Sequence, residues 1–280
     1  PDVDNYTHMS ENGDWGMYHE LGHNHQWMPS TLPGTTETSC NFASVYLMED
    51  LVGVEGQGAV DPEQRRNRME SYFSDGSNIS NWSVWTALDT YLIIKEEWGW
   101  NPITEALSVY YNLSPAEVPS TEEEEFNTWV LHLSNSTGYN LAPYHAAWGF
   151  PLNENTYSTL EHLPIWVEDP LRGEFFSYDA IIRNIESNDE TTSTTDISWE
   201  TYDNGTNTSL TFYYGVTDMG NQSSGWSSSQ NLGSTSVGNH STTITGLSWG
   251  TTYYGRIQVS NDENTVWFGP ISWTTDYPLD

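Results

Sequence analysis

The sequence predicts a multidomain α+β chain, a mainly helical portion followed by a β-sandwich, and three observations carry that reading. Its 280 residues suggest about two domains at roughly 100–200 residues each. Apolar residues recur at helical spacing before position 190 and in steps of two beyond it. With 36% hydrophobic residues, including 14 Trp, 17 Tyr and 8 Phe, the chain has enough apolar material for packed cores despite a large net charge.

The elements follow in order. The run from Trp15 to Trp27 allows about two helical turns before Pro29. Gly34 to Thr36 offer a turn and a cap, and Phe42, Val45 and Tyr46 give the next segment an apolar helical stripe. Val84, Trp85, Leu88, Tyr91 and Leu92 mark another helix, stopped by Trp98-Gly99-Trp100-Asn101-Pro102. Helices also fit Ile103 to Tyr111 and Thr121 to Leu133. In the latter, Glu122 to Glu125 read as an acidic first turn at the positive end of the helix dipole. A linker rich in Ser, Thr, Asp and Glu comes next. Short strands are then expected at Ile197–Glu200, Leu210–Tyr214, Thr243–Ile244 and Tyr253–Val259. The predicted division is 1–170 for the helical portion, 171–192 for the linker and 193–280 for the sandwich.

Seven Lys and Arg against 39 Asp and Glu leave a net charge of −32. Nucleic acid is excluded as a partner, because binding it requires clustered cations. Anionic membrane surfaces are excluded on the same ground. No stretch approaches the roughly 18 apolar residues of a membrane span. The single cysteine, Cys40, rules out an internal disulfide framework. The acidic, cysteine-poor composition suits a protein secreted by, or displayed on the surface of, a bacterium. The opening Pro-Asp-Val-Asp has neither an initiator Met nor a signal-peptide pattern, and we read the chain as a fragment.

His19-Glu20-Leu21-Gly22-His23 carries the chemistry. On a helix, residues four apart share a face, so both imidazoles can reach one Zn²⁺ while Glu20 stands beside it as a base. A catalytic zinc takes three protein ligands and keeps one position open. Glu37 is the candidate third donor, and the residues alone leave it equally readable as a first-turn helix carboxylate. Asn41, one turn further, is a candidate to hydrogen-bond the free nitrogen of a ligand histidine.

Gly13-Asp-Trp15-Gly-Met-Tyr-His19-Glu20-Leu-Gly-His23-Asn24-His25-Gln26 resembles the signature of the enhancin-type gluzincins, zinc metallopeptidases with mucin-degrading bacterial members. Glu37 with Asn41, Leu88 to Tyr91 with Trp98-Gly-Trp100, and Asn140-Leu141 to Trp148-Gly149 resemble later segments of that family. The resemblance implies a gluzincin catalytic portion that holds one Zn²⁺ per chain through His19, His23 and Glu37. It further implies an endopeptidase in which zinc-activated water, with Glu20 as general base, cleaves extracellular glycoproteins of the mucin-like, O-glycosylated kind. The family has a substantial part before the metal helix. Trp15, Asn24, His25 and Gln26 are candidate substrate-binding residues. His25, Tyr91, His132 and His145 are candidate oxyanion donors. Arg65, Arg66 and Arg68 read either as an exposed helix paired with acidic surface or as a receptor for an acidic sugar. Cys40 reads as a small buried residue.

Leu247-Ser-Trp-Gly250-Thr-Thr-Tyr253-Tyr-Gly-Arg-Ile257 resembles a fibronectin type III domain, which makes Tyr253 a corner tyrosine bonded back to the backbone. The sandwich is therefore a candidate for carbohydrate or cell-surface contact. The rival to catalysis is a non-catalytic adhesin or carbohydrate-binding protein that keeps the gluzincin fold.

Overall fold

The computed structural model describes residues 6–54, 60–176, 179–234, 236–262 and 265–278, and it divides into two compact units, Pro1–Trp166 and Val167–Asp280.

The first unit is helical. Helix α1 spans Tyr6–Asn12. Helix α2, Trp15–His25, starts where the Asp14 carboxylate accepts the Met17 N–H. Helix α3, Thr36–Tyr46, runs into a π-helical turn, Leu47–Val52, that ends on Gly53 in the left-handed region. Helices α4 (Pro62–Ser74) and α5 (Val84–Trp98) begin with side-chain caps from Asp61 and Ser83. Helices α6 (Asn101–Tyr110), α7 (Glu122–Thr137), α8 (Ala142–Ala147) and α9 (Glu154–Leu160) complete the unit. The acidic run of α7 is a helix start, as expected: Thr121 and Glu124 form a reciprocal capping box.

Helix α5 is the hub. Its Leu88 and Leu92 join Val45 of α3, with Trp15, Phe42 and Trp100 packed around them. Asp89, also on α5, is fully buried and bound by Arg65 Nε at 2.8 Å and Arg68 Nη2 at 2.7 Å. Arg65 also meets Glu96. For Arg65 and Arg68 these contacts correct both readings of the arginine cluster, while Arg66 is exposed as the first reading expected. Arg65 is buried and Arg68 half-buried, and together they dock α4 on α5. A carboxylate in an apolar interior requires such partners.

Helices α2 and α3 cross at Gly22. A Cβ there would stand 2.9 Å from Cys40 Cα and 3.3 Å from Ala43 Cβ, so only glycine allows this approach.

The second unit is a β-sandwich of two antiparallel sheets, ordered β1-β2-β5 and β4-β3-β6-β7. The strands are β1 (Ile181–Asn188), β2 (Thr194–Asp203), β3 (Ser209–Gly215), β4 (Ser228–Gly233), β5 (Gly238–Thr245), β6 (Thr252–Ser260) and β7 (Thr265–Thr274). Ile182, Ile197, Trp199, Phe212, Ile257 and Trp273 belong to its core. The expected corner is present: Ser248 N–H donates to the Tyr253 hydroxyl at 3.0 Å. The expected linker at 171–192 is not one. It contains β1, which pairs with β2, and Arg172, which forks onto buried Asp203 at 2.9 and 3.1 Å. Irregular register between Arg183 and Glu186 breaks the alternation that would have revealed the strand.

Gly22→Ala tests the crossing. Alanine stabilises an ordinary helix interior relative to glycine, but here the added methyl meets backbone. Urea unfolding is expected to show a loss of about 1–3 kcal/mol; a gain in stability would contradict the close approach.

Candidate metal centre

The three candidate ligands come from two helices. His19 and His23 lie one turn apart on α2 and their rings meet edge to face, with centroids 5.0 Å apart. Glu37, in the first turn of α3, places Oε2 3.0 Å from His19 Nε2 and 3.8 Å from His23 Nε2. The Gly22 crossing produces this convergence, because it sets the first turns of α3 against the last turns of α2.

Hydrogen bonds on the far side of each ring fix the imidazoles. Asn41 Oδ1 lies 2.9 Å from His19 Nδ1 and also accepts the Trp15 indole N–H at 3.3 Å. An indole nitrogen only donates. The atom of Asn41 facing both groups is therefore its oxygen, and His19 Nδ1 carries the proton. His23 is held in the same way. Gln26 Nε2 donates to the Thr36 carbonyl at 2.6 Å and to Ser39 Oγ, which turns Gln26 Oε1 onto His23 Nδ1 at 3.1 Å. With each Nδ1 engaged by an amide oxygen, the Nε2 atoms of both rings face the Glu37 carboxylate, a donor set of two imidazoles and one carboxylate that a cation could share.

The spacing fits zinc. A tetrahedral ion with bonds of 2.0–2.1 Å separates its ligand atoms by roughly 3.3 Å, and the observed 3.0 and 3.8 Å bracket that value. The Glu37 side chain is 56% exposed, so the centre is open to solvent. Cys40 offers a competing donor. Its Sγ and one nitrogen from each of His19 and His23 lie within 4.8 Å of one another. Glu37 and Cys40 meet different nitrogens of His23: Glu37 Oε2 faces Nε2, whereas Cys40 Sγ sits 3.1 Å from Nδ1, the nitrogen already occupied by Gln26. Burial, and after it the Glu37 charge, pushes the Cys40 thiol up to about 11, against the thiolate form a metal requires.

The remaining candidates take other places. Trp15 and Gln26, candidates for either a substrate-lining or a structural place, hydrogen-bond Asn41 and His23 respectively; Trp15 also packs against Trp85, with centroids 6.3 Å apart. Asn24 Nδ2 donates to the Glu20 carbonyl, and His25 Nδ1 bonds the Leu21 carbonyl at 2.9 Å. Both side chains thus fold back on α2 while remaining exposed. Of the oxyanion candidates, Tyr91 and His145 are buried and His132 is half-buried. Tyr91 packs against Phe42 and Trp129, and His132 lies edge-on to Tyr110. His145 is 1% exposed and bonds the Leu141 carbonyl, and burial pulls its pKa down to about 4. Sequence reasoning missed Ser39 and the supporting role of Gln26. No spacing signal was available for Gln26, because it lies just past the end of α2 in extended backbone.

Gln26→Leu removes the acceptor on His23 Nδ1. Zinc affinity, measured by competition with a chromophoric chelator, is expected to fall about 10–100-fold; unchanged affinity would show that Gln26 does not orient the ring.

Comparison with known proteins places these residues in a family. A family profile described as peptidase M60, enhancin and enhancin-like matches residues 1–149. TRPM8 channel-associated factor 2 of Bos taurus is 40% identical over 172 residues, covering 59% of this chain and 18% of that protein. The TRPM8 channel-associated factor homolog of Xenopus laevis is 39% identical over 168 residues, with the same two coverages. The chain thus spans 18% of the length of these relatives. A crystal structure of a functionally unknown conserved protein from Bacillus anthracis str. Ames shares the fold, with a TM-score of 0.52 at 18% identity over 69% of this chain and 50% of that one. The family match spans more than half of the 280 residues and includes every side chain of the centre just described, and the chain belongs to the peptidase M60, enhancin and enhancin-like family.

Proposed function

We propose that the helical unit is the metal-holding portion of a zinc endopeptidase that cleaves extracellular, mucin-like O-glycosylated proteins. One observation carries this reading: His19 Nε2, His23 Nε2 and Glu37 Oε2 converge while each ring's other nitrogen is engaged by an amide oxygen. His19, His23 and Glu37 would hold the ion. A zinc ion held there supplies a Lewis acid for the scissile carbonyl and lowers the pKa of water from about 15.7 to about 7.

The chain's own residues do the rest. Glu20 is exposed on α2 next to His19, and its charge reaches the Cys40 thiol beside His23. It accepts the proton of the attacking water and returns it to the leaving amine. Asn41 and Gln26 keep the ligand rings from rotating, so no reorganisation accompanies the reaction. Among the described residues no helix is long and apolar enough to cross a membrane. The acidic composition and single cysteine support a secreted or surface-displayed bacterial protein. The strand order and the Tyr253 corner support a fibronectin type III kinship for the sandwich, with carbohydrate or cell-surface contact as its role.

A second reading is a non-catalytic binding protein that keeps the fold; the relatives' names, channel-associated factors, favour association with a partner over catalysis. A Glu20→Gln variant of the full-length protein separates the two. It is expected to retain about one zinc per chain and lose mucin cleavage by about 10²–10⁴-fold. Undiminished cleavage would refute the role of Glu20, and zinc-free protein that still binds its partner would favour binding.

A further inference from the structure

A cavity of about 260 Å³ lies against the crossing of α2 and α3. One wall is formed by Gln26 and Ser39, the residues whose hydrogen bonds hold His23. Its other sides are aromatic and include Trp27, Trp100 and Tyr111. Trp27 and Tyr111 stack with centroids 6.1 Å apart at 21°, and Tyr111 is 74% exposed, so the stack stands at the mouth of the cavity. Thr104, on the exposed side of α6, lines it too.

Two features define the ligand. In a chain with 39 Asp and Glu, the lining contains no carboxylate, lysine or arginine. A cationic guest would meet no anion there, and a carboxylate would meet only the imidazole of His25, whose Nδ1 is already bonded to the Leu21 carbonyl. The volume falls below the roughly 300–1,000 Å³ of pockets that take whole drug-sized ligands, and suits a single large side chain. A third feature defines where that side chain comes from. Gln26 lines the cavity and bonds His23 Nδ1, so one residue separates the cavity from His23, on the side of the ring turned away from Glu37.

We propose that this cavity is a specificity pocket that receives one large uncharged apolar side chain, aromatic or branched aliphatic, of the polypeptide substrate. The assignment rests on the hydrolase reading given above and adds to it a preference independent of any glycan. Burying such a side chain is worth about 1.5–3 kcal/mol.

The test uses wild type, Thr104→Trp to block the pocket and Thr104→Ser as a conservative control, in the full-length protein. Saturation-transfer NMR with N-acetyl-phenylalaninamide is expected to give contacts in wild type and Thr104→Ser and none in Thr104→Trp. N-acetyl-glutamic acid amide is expected to give none in any of them. Zinc affinity by chelator competition should be equal in all three, which separates loss of the pocket from loss of the centre. In peptide mixtures, wild type should favour a large apolar residue at one position near the cut by about tenfold or more, and Thr104→Trp should lose that preference. Equal binding of the phenylalanine probe by Thr104→Trp, or no apolar preference in wild-type cleavage, overturns the proposal. Binding to the isolated 280-residue chain but not to the full-length protein also overturns it, because another segment of the same protein then fills the pocket. A wild type that binds the probe yet cuts no peptide overturns the hydrolase reading and leaves the pocket's ligand class standing.

Discussion

The contact between Gly22 and Cys40 is the constraint on which the first unit's chemistry depends. The two helix backbones meet where a single methyl would stand 2.9 Å from a Cα. That approach puts the first turn of α3 beside the metal-facing side of α2, and with it Glu37, Ser39 and Asn41. Each has a distinct task. Glu37 faces the two Nε2 atoms, Asn41 holds His19, and Ser39 helps aim the amide of Gln26 at His23. The helix that carries Glu37 thus also carries the residues that hold His19 and Gln26, so the convergence and the orientation of the two imidazoles follow from one packing event. Asn41 is itself fixed by Trp15, which ties the centre to the core around Leu88 and Leu92.

Charge is distributed by the same economy. Of the seven basic residues, Arg65 and Arg68 are spent on one buried carboxylate, Asp89, and Arg172 on another, Asp203. These three cations therefore work inside the two units, where an unpaired acid would be costly. The acidic surplus is left to the exterior, and the aromatic cavity beside the centre is free of it. A substrate segment entering that cavity would not meet the charge that the rest of the surface presents.

Much of this was legible in the sequence because it is local. The His19-Glu20-Leu-Gly-His23 spacing identifies a helix face, Gly99 and the capping residues mark helix ends, and alternation locates β2, β3 and β6. What escaped depends on distant partners or on broken patterns. Arg65 and Arg68 look solvated until Asp89, 24 and 21 residues away, is seen beneath them. Gln26 lies just past the end of α2 in extended backbone, so helical periodicity says nothing about its direction. β1 is interrupted by irregular register. β7, for which no strand was expected, contains Pro270, a residue that interrupts a strand's hydrogen bonding. The sheet order explains its tolerance, since β7 is an edge.

The assignment of Glu37 over Cys40 is the step most open to direct measurement. X-ray absorption at the zinc edge of the metal-loaded protein resolves sulfur from lighter ligands, because Zn–S bonds of about 2.3 Å exceed Zn–N and Zn–O bonds of about 2.0–2.2 Å. The structure predicts a shell of nitrogen and oxygen only, with the multiple-scattering signature of two imidazoles. A sulfur shell at about 2.3 Å would place Cys40 on the metal and contradict the account.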